Sequence, residues 1–157
     1  SYNSYLIIDK KIALIDTIDE GFEKEYLENI KKEIGTRVID YIVVNHMEPD
    51  HSSLLTLMLD IYPGILIIAS ERAVPMLKGY YGLTDDDVLV VRDKDHISLG
   101  TCELTFHMTP LLPCLCHQYN ILVILLCRHF PCELVFSCTS VFWRCIRNIR
   151  SIETWNN

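Results

Sequence analysis

Six consecutive residues, His46-Met47-Glu48-Pro49-Asp50-His51, gather four potential metal ligands into one short turn. Two are imidazoles and two are carboxylates. Mixed nitrogen and oxygen donors suit iron, manganese or zinc, whereas a soft-metal site would call for thiolates. The turn follows directly on the apolar run Tyr41-Ile42-Val43-Val44. Acidic groups crowded at the end of a buried strand are costly to desolvate unless a cation compensates. In an extended segment His46, Glu48 and Asp50 fall on one face, while Met47 points away into packing. Pro49 stiffens the loop and lowers the entropy lost when it is ordered. A simpler reading makes the stretch a helix N-terminus capped by Asp50 and Ser52. Capping needs one such residue rather than four.

The elements that must position this turn alternate between β and α. Ser4 to Ile8 and Lys11 to Ile15 read as two strands joined by a hairpin at Asp9-Lys10. Phe22, Tyr26, Leu27, Ile30 and Ile34 recur at three and four, which predicts a helix over Asp19 to Ile34, stopped by Gly35. Ile39 to Val44 is the buried strand that feeds the turn. Leu54 to Ile61 reads as a short helix ending near Pro63-Gly64, Ile65 to Ala69 as another buried strand and Glu71 to Lys78 as another helix. Val88 to Val91 and Cys102 to Met108 complete the strands, with Leu99-Gly100-Thr101 a tight turn. The order predicts an α/β fold, a mixed sheet with helices laid on it. Ligands in such sheets gather in loops after strand ends. Asp16 closes its own strand and is placed either to orient the ligand loop or simply to form a turn.

Composition divides the chain. Every glycine, aspartate, lysine and alanine falls at or before residue 100, and the last 47 residues hold none of them. At an average glycine usage of about 7%, a glycine-free stretch of that length arises roughly one time in thirty. Six of the seven cysteines (Cys114, Cys116, Cys127, Cys132, Cys138, Cys145) lie in this tail, in no spacing that suits zinc. Residues 1–110 carry 10 Lys+Arg against 19 Asp+Glu, and residues 111–157 carry 4 against 2. The expectation is a tail read from a shifted frame or an unspliced segment. A start on Ser1 rather than methionine adds the expectation of a fragment. Overall charge of −7 argues against nucleic acid as a partner. No signal peptide is visible, and the apolar run Ile121 to Cys127 is far short of the roughly 20 residues that span a bilayer. A cytoplasmic protein without a membrane partner is the expectation.

Asn45-His46-Met47-Glu48-Pro49-Asp50-His51-Ser52 resembles the signature of flavodiiron proteins, which reduce dioxygen to water or nitric oxide to nitrous oxide. The segments Asn3 to Asp9, Ala13 to Thr17, Ile67 to Ser70 and Ile97 to Gly100 match the family in order, and the resemblance covers about residues 1–112. It implies an incomplete metallo-β-lactamase-like αββα sandwich that holds two irons, followed in the family by a flavodoxin-like domain that is absent here. By that resemblance His46 and Glu48 bind the first iron and Asp50 the second, while His51 ligates the second iron or supports it. Zinc hydrolases of the β-lactamase-like superfamily carry a His where Glu48 stands, so Glu48 disfavours the hydrolase alternative. FMN delivers electrons in the family, but no FMN site is assigned in this chain. The family also implies an electron donor such as rubredoxin or a reductase, and a head-to-tail homodimer.

The chain departs from the family after Thr109-Pro110-Leu111-Leu112. Pro113 stands where a further His is expected, and the tail has no aspartate to bridge two irons. Val135 to Thr139 echoes the strand that should end in that bridge, with Thr139 in its place. His117 and His129 are incidental on this reading, as are His96, placed in a turn, and His107, placed on a strand. Without a shared carboxylate two cations repel one another, so at most one iron is expected and the chain as written is expected to be inactive. A non-catalytic metal-binding remnant is the further alternative.

Overall fold

The structure, a computed structural model, describes residues 3–110, 119–127, 133–137, 140–142 and 149–153. Two sheets lie face to face. The first contains β1 (Asn3–Ile8), β2 (Ile12–Ile15), β3 (Tyr41–Val43), β4 (Leu66–Ser70), β5 (Val88–Val91) and β11 (Ile149–Glu153), in the order β11-β1-β2-β3-β4-β5. Its β11, β1 and β2 are antiparallel, while β2 to β5 run parallel. The second sheet is antiparallel, with order β10-β9-β8-β7-β6. It contains β6 (His96–Ser98), β7 (Cys102–Pro110), β8 (Tyr119–Cys127), β9 (Glu133–Ser137) and β10 (Ser140–Phe142). The described helices are α1 (Glu23–Ile34), α2 (Pro49–Ser52), α3 (Leu55–Ile61) and α4 (Val74–Tyr81).

Period-two alternation along the strands splits their side chains between two cores. Ile12, Leu14, Ile42, Ile67 and Ala69 face Tyr26, Ile30, Met58 and Leu77 of the helices. Ala13, Ile15, Val43 and Ile68 face Leu104 and Phe106 of the second sheet. Strands covered on both faces read as continuous apolar runs, which is why Ile-Ala-Leu-Ile and Leu-Ile-Ile-Ala carry no polar residue. Each fully buried Leu, Ile or Phe contributes about 1.5–3 kcal/mol. These are three of the four layers of an αββα sandwich. Among the described residues no helix covers the outer face of the second sheet.

Several sequence expectations need correction. Strand β7 runs to Pro110 rather than Met108, and beyond the first 112 residues β8 to β11 follow, with the apolar run Ile121 to Cys127 in β8. His96 sits on β6 rather than in a turn. Helix α1 begins at Glu23, four residues late, because Gly21 has φ 96°, outside helical backbone. Helix α4 starts at Val74 rather than Glu71, with Pro75 in its first turn and Ala73 N–H bonded back to Ser70 O at 2.9 Å. The stretch 49–52 is itself a short helix ahead of α3. The hairpin at Asp9-Lys10 and the turn at Leu99-Gly100-Thr101 stand where expected.

These two turns join the sheets. Asp9 Oδ2 accepts hydrogen bonds from Thr101 N (2.7 Å), Thr101 Oγ1 (3.0 Å) and Cys102 N (2.7 Å), and Lys11 N donates to Leu99 O (2.9 Å). Gly100, at φ 129°, lets the turn lie against Lys10, whose side chain would stand 2.8 Å from an added Cβ.

Candidate metal centre

Strand β3 is short, central and buried, so the chain must leave it at the C-terminal edge of the parallel ladder. Val44 and Asn45 continue inward, both nearly inaccessible, and His46 follows at 7% exposure. Met47 packs against the helix-side core. Glu48 is extended (φ −76°, ψ 150°) and precedes α2, where Pro49 takes the first helical turn, a position that needs no N–H donor. No side chain caps this helix; Ser52 Oγ instead donates to Glu48 O at 3.0 Å and meets Tyr81 OH at 2.8 Å.

The helical turn changes how the ligands converge. His46, Glu48 and Asp50 do not line one face of an extended segment, because Asp50 and His51 lie within α2. The donors meet as two couples. His46 Nε2 lies 2.9 Å from Glu48 Oε1, and His51 Nε2 lies 3.7 Å from Asp50 Oδ2. The two rings stand edge to face, 5.8 Å between centroids. Two ligands on one ion, each at roughly 2.0–2.2 Å, are separated by distances of this size.

Desolvation falls elsewhere than the sequence suggests. Glu48 is 55% and Asp50 39% exposed, so the carboxylates of the turn are solvated, and the buried carboxylate is Asp16. It sits at the end of β2 with φ 56°, a left-handed conformation that non-glycine residues rarely adopt. Its Oδ1 accepts Asn45 N–H at 2.7 Å and its Oδ2 lies 3.2 Å from His51 Nδ1. Burial pushes the Asp16 pKa up, against the opposing bonds from His51 and Asn45. Burial alone would push His51 down, but Asp16, Asp50 and Glu48 together hold it above its ordinary value. His51 Nδ1 faces Asp16 Oδ2, so a neutral His51 with its proton on that nitrogen would present its Nε2 lone pair outward beside Asp50. The expected orienting role of Asp16 matches this geometry.

Thr17, the next residue, fastens the same loop. Its N–H and Oγ1 reach His51 O at 2.7 and 3.1 Å, and Oγ1 accepts Leu54 N–H at 3.3 Å. Its place beside Asp16 was the available signal. Asn45 was also not foreseen as a buried polar group. Its Oδ1 has no hydrogen-bond partner among the described residues, and it borders a small cleft lined by His46, Met47, Ser70 and Arg72.

The donor types fit iron or zinc, and among the described residues no three His, Cys, Asp or Glu side chains converge. His96 pairs locally with Thr105 (3.1 Å) and Glu103 (3.7 Å), and His107 with Asp93 (3.7 Å). Pro113, His117, His129 and Thr139 lie outside the described residues.

Known proteins place these observations. The profile of a family described as "ODP family beta lactamase" matches residues 1–120. A flavo-diiron protein of Clostridium acetobutylicum is 42% identical over 113 residues, 71% of this chain and 28% of its own length. A nitric oxide reductase of Moorella thermoacetica is 36% identical over 112 residues, again 71% and 28%. The solved rubredoxin oxygen:oxidoreductase of Desulfovibrio gigas superposes with a TM-score of 0.69 at 29% identity, covering 78% of this chain and 30% of that one. The chain thus spans under a third of the length of these relatives.

Proposed function

The chain belongs to the flavodiiron family and matches part of its metallo-β-lactamase-like domain, and from that premise we propose that it is part of an oxidoreductase that reduces dioxygen or nitric oxide at a non-haem di-iron site. In this reading His46 and Glu48 hold the first metal ion and Asp50 the second, with His51 as a ligand or support for the second. Residues 1–112 are the partial di-iron domain, and residues 113–157 stand outside its pattern. FMN and an electron donor of the rubredoxin type supply the electrons in this reading, in the cytoplasm, with no FMN site assigned to the residues of this sequence. Iron would supply the place where the gas binds. What this chain's own residues do is hold two donor couples at the mouth of β3, with Asp16 fixing the His51 tautomer. That pairing, 2.9 Å and 3.7 Å between donors over a buried carboxylate, is the observation that carries the reading.

With donors converging only in pairs among the described residues, the chain as written is expected to retain at most about one iron or zinc ion and not to turn over gas on its own. A metal-binding product without catalysis is the second reading, favoured by the tail, which has Pro113 where the family has a His and holds no aspartate. Anaerobic loading with Fe(II) or Zn(II), dialysis and metal analysis test this. The expected result is no more than about one ion per chain, lost in His46→Ala. Two tightly retained irons, or uptake indifferent to that substitution, would overturn it.

A further inference from the structure

We infer that Ser4 and Tyr26 are positioning residues for the metal-binding loop, acting through the backbone carbonyl of Asp16. The inference rests on the loop at His46 to His51 being the metal-binding element. Ser4 on β1 is fully buried, and its Oγ donates to Asp16 O at 2.9 Å. The same Oγ lies 2.9 Å from the Tyr26 hydroxyl, which is fully buried on α1. A serine hydroxyl has one proton. With that proton committed to Asp16 O, the Tyr26 hydroxyl is the donor of the second bond. The result is a directional chain from α1, through β1, to the residue that faces the loop.

The chain ends where direction matters most. Asp16 uses every backbone and carboxylate polar atom: N–H to Val43 O (2.8 Å), O to Ser4, Oδ1 to Asn45 N–H and Oδ2 to His51 Nδ1. Its left-handed backbone turns the carboxylate towards the loop after β3, and such a conformation persists only where surrounding bonds over-determine it. Ser4 holds the carbonyl side of that residue, so it sets where the carboxylate points. Neither Ser4 nor Tyr26 belongs to the ligand turn, and both are conventional core positions by sequence pattern. Their hydroxyls distinguish them from packing residues, since a buried hydroxyl without a partner is disfavoured and these two satisfy each other.

Tyr26→Phe and Ser4→Ala in the full chain, followed by NMR without added metal, test the assignment. Both variants are expected to speed hydrogen exchange of the Asn45 amide by about tenfold or more, through local opening of its bond to Asp16. Both are also expected to broaden the His51 Nδ1–H resonance. Ile30→Val trims the same buried face of α1 without touching a hydroxyl, and is expected to leave the Asn45 and His51 signals as in the parent chain. Unchanged Asn45 protection in the hydroxyl variants, or an equal increase in Ile30→Val, would overturn the inference. If Ser4→Ala does not fold, Tyr26→Phe decides by the same criterion. Neither readout involves metal, so a chain that takes up no ion would sink the functional reading without altering this result.

Discussion

Asp16 makes four hydrogen bonds from a left-handed backbone conformation (φ 56°) uncommon for any residue but glycine, and three of the four groups it contacts belong to β3, the residues after it or the ligand turn. Glu48, by contrast, is more than half exposed and meets His46 alone among the ion pairs of the turn. The two carboxylates should therefore fail differently. Asp16→Asn keeps the shape but weakens acceptance from His51, and is expected to lower metal affinity about 10–100-fold and stability by about 1–3 kcal/mol. Glu48→Gln is expected to weaken metal uptake while changing stability by less than about 0.5 kcal/mol. Metal titration beside chemical denaturation separates the two, and equal effects on stability would contradict the division.

At the scale of elements, the β1–β2 hairpin and the β6–β7 turn are tied through Asp9. Partial burial pushes its pKa up, but donors from Cys102, Lys10 and Thr101 outweigh this and hold it below the usual carboxylate value of 3.8. A depressed native pKa means that the ionised form is favoured by folding. The contribution is present above the unfolded value and is lost as pH falls through the native one. Asp9→Asn is accordingly expected to cost about 1–2 kcal/mol at neutral pH, and to lose part of the fall in stability between about pH 5 and about pH 2. Urea denaturation across that range checks it; parallel pH profiles would reject the assignment. Element identity over the first 110 residues was largely legible, because the strands that feed the site are apolar runs and α1 repeats Tyr26, Ile30 and Ile34 at intervals of four. Boundaries were less so: Gly21 at positive φ delays α1, and Pro49 starts a helix where an extended loop was expected.

Across the whole molecule, the break in composition near residue 112 is not a break in the sheets. Strand β11, from the anomalous tail, pairs with β1 from Asn3↔Glu153 to Ile7↔Ile149, and Ile152 is 2% exposed in the helix-side core. Arg150 Nε reaches Glu33 Oε2 of α1 at 3.0 Å. If this edge strand is integral to folding, Ile152→Ala should cost about 2–5 kcal/mol, read by denaturant midpoint. A loss below about 0.5 kcal/mol would mean that the first sheet closes at β1. The outcome bears on the proposed origin of the tail, since a segment read from a shifted frame has no reason to complete a sheet.

Local pattern determined the chemistry that is present. His46, Glu48, Asp50 and His51 are covalent neighbours, so their presence together at the end of an apolar strand needs no fold to establish it. The alternating β and α order followed from periodicity along the chain, and the family from the resemblance of the ligand turn and four further segments to its motifs. Tertiary structure alone decided which donors meet. The helical turn at Pro49–Ser52 separates Asp50 from the His46 and Glu48 couple, the bonds from Asp16 and Thr17 reach the loop across 29 to 35 residues of sequence, and Ser4 is tied to Asp16 across 12. Such contacts depend on strand register and on one left-handed residue, neither of which is encoded in a local repeat.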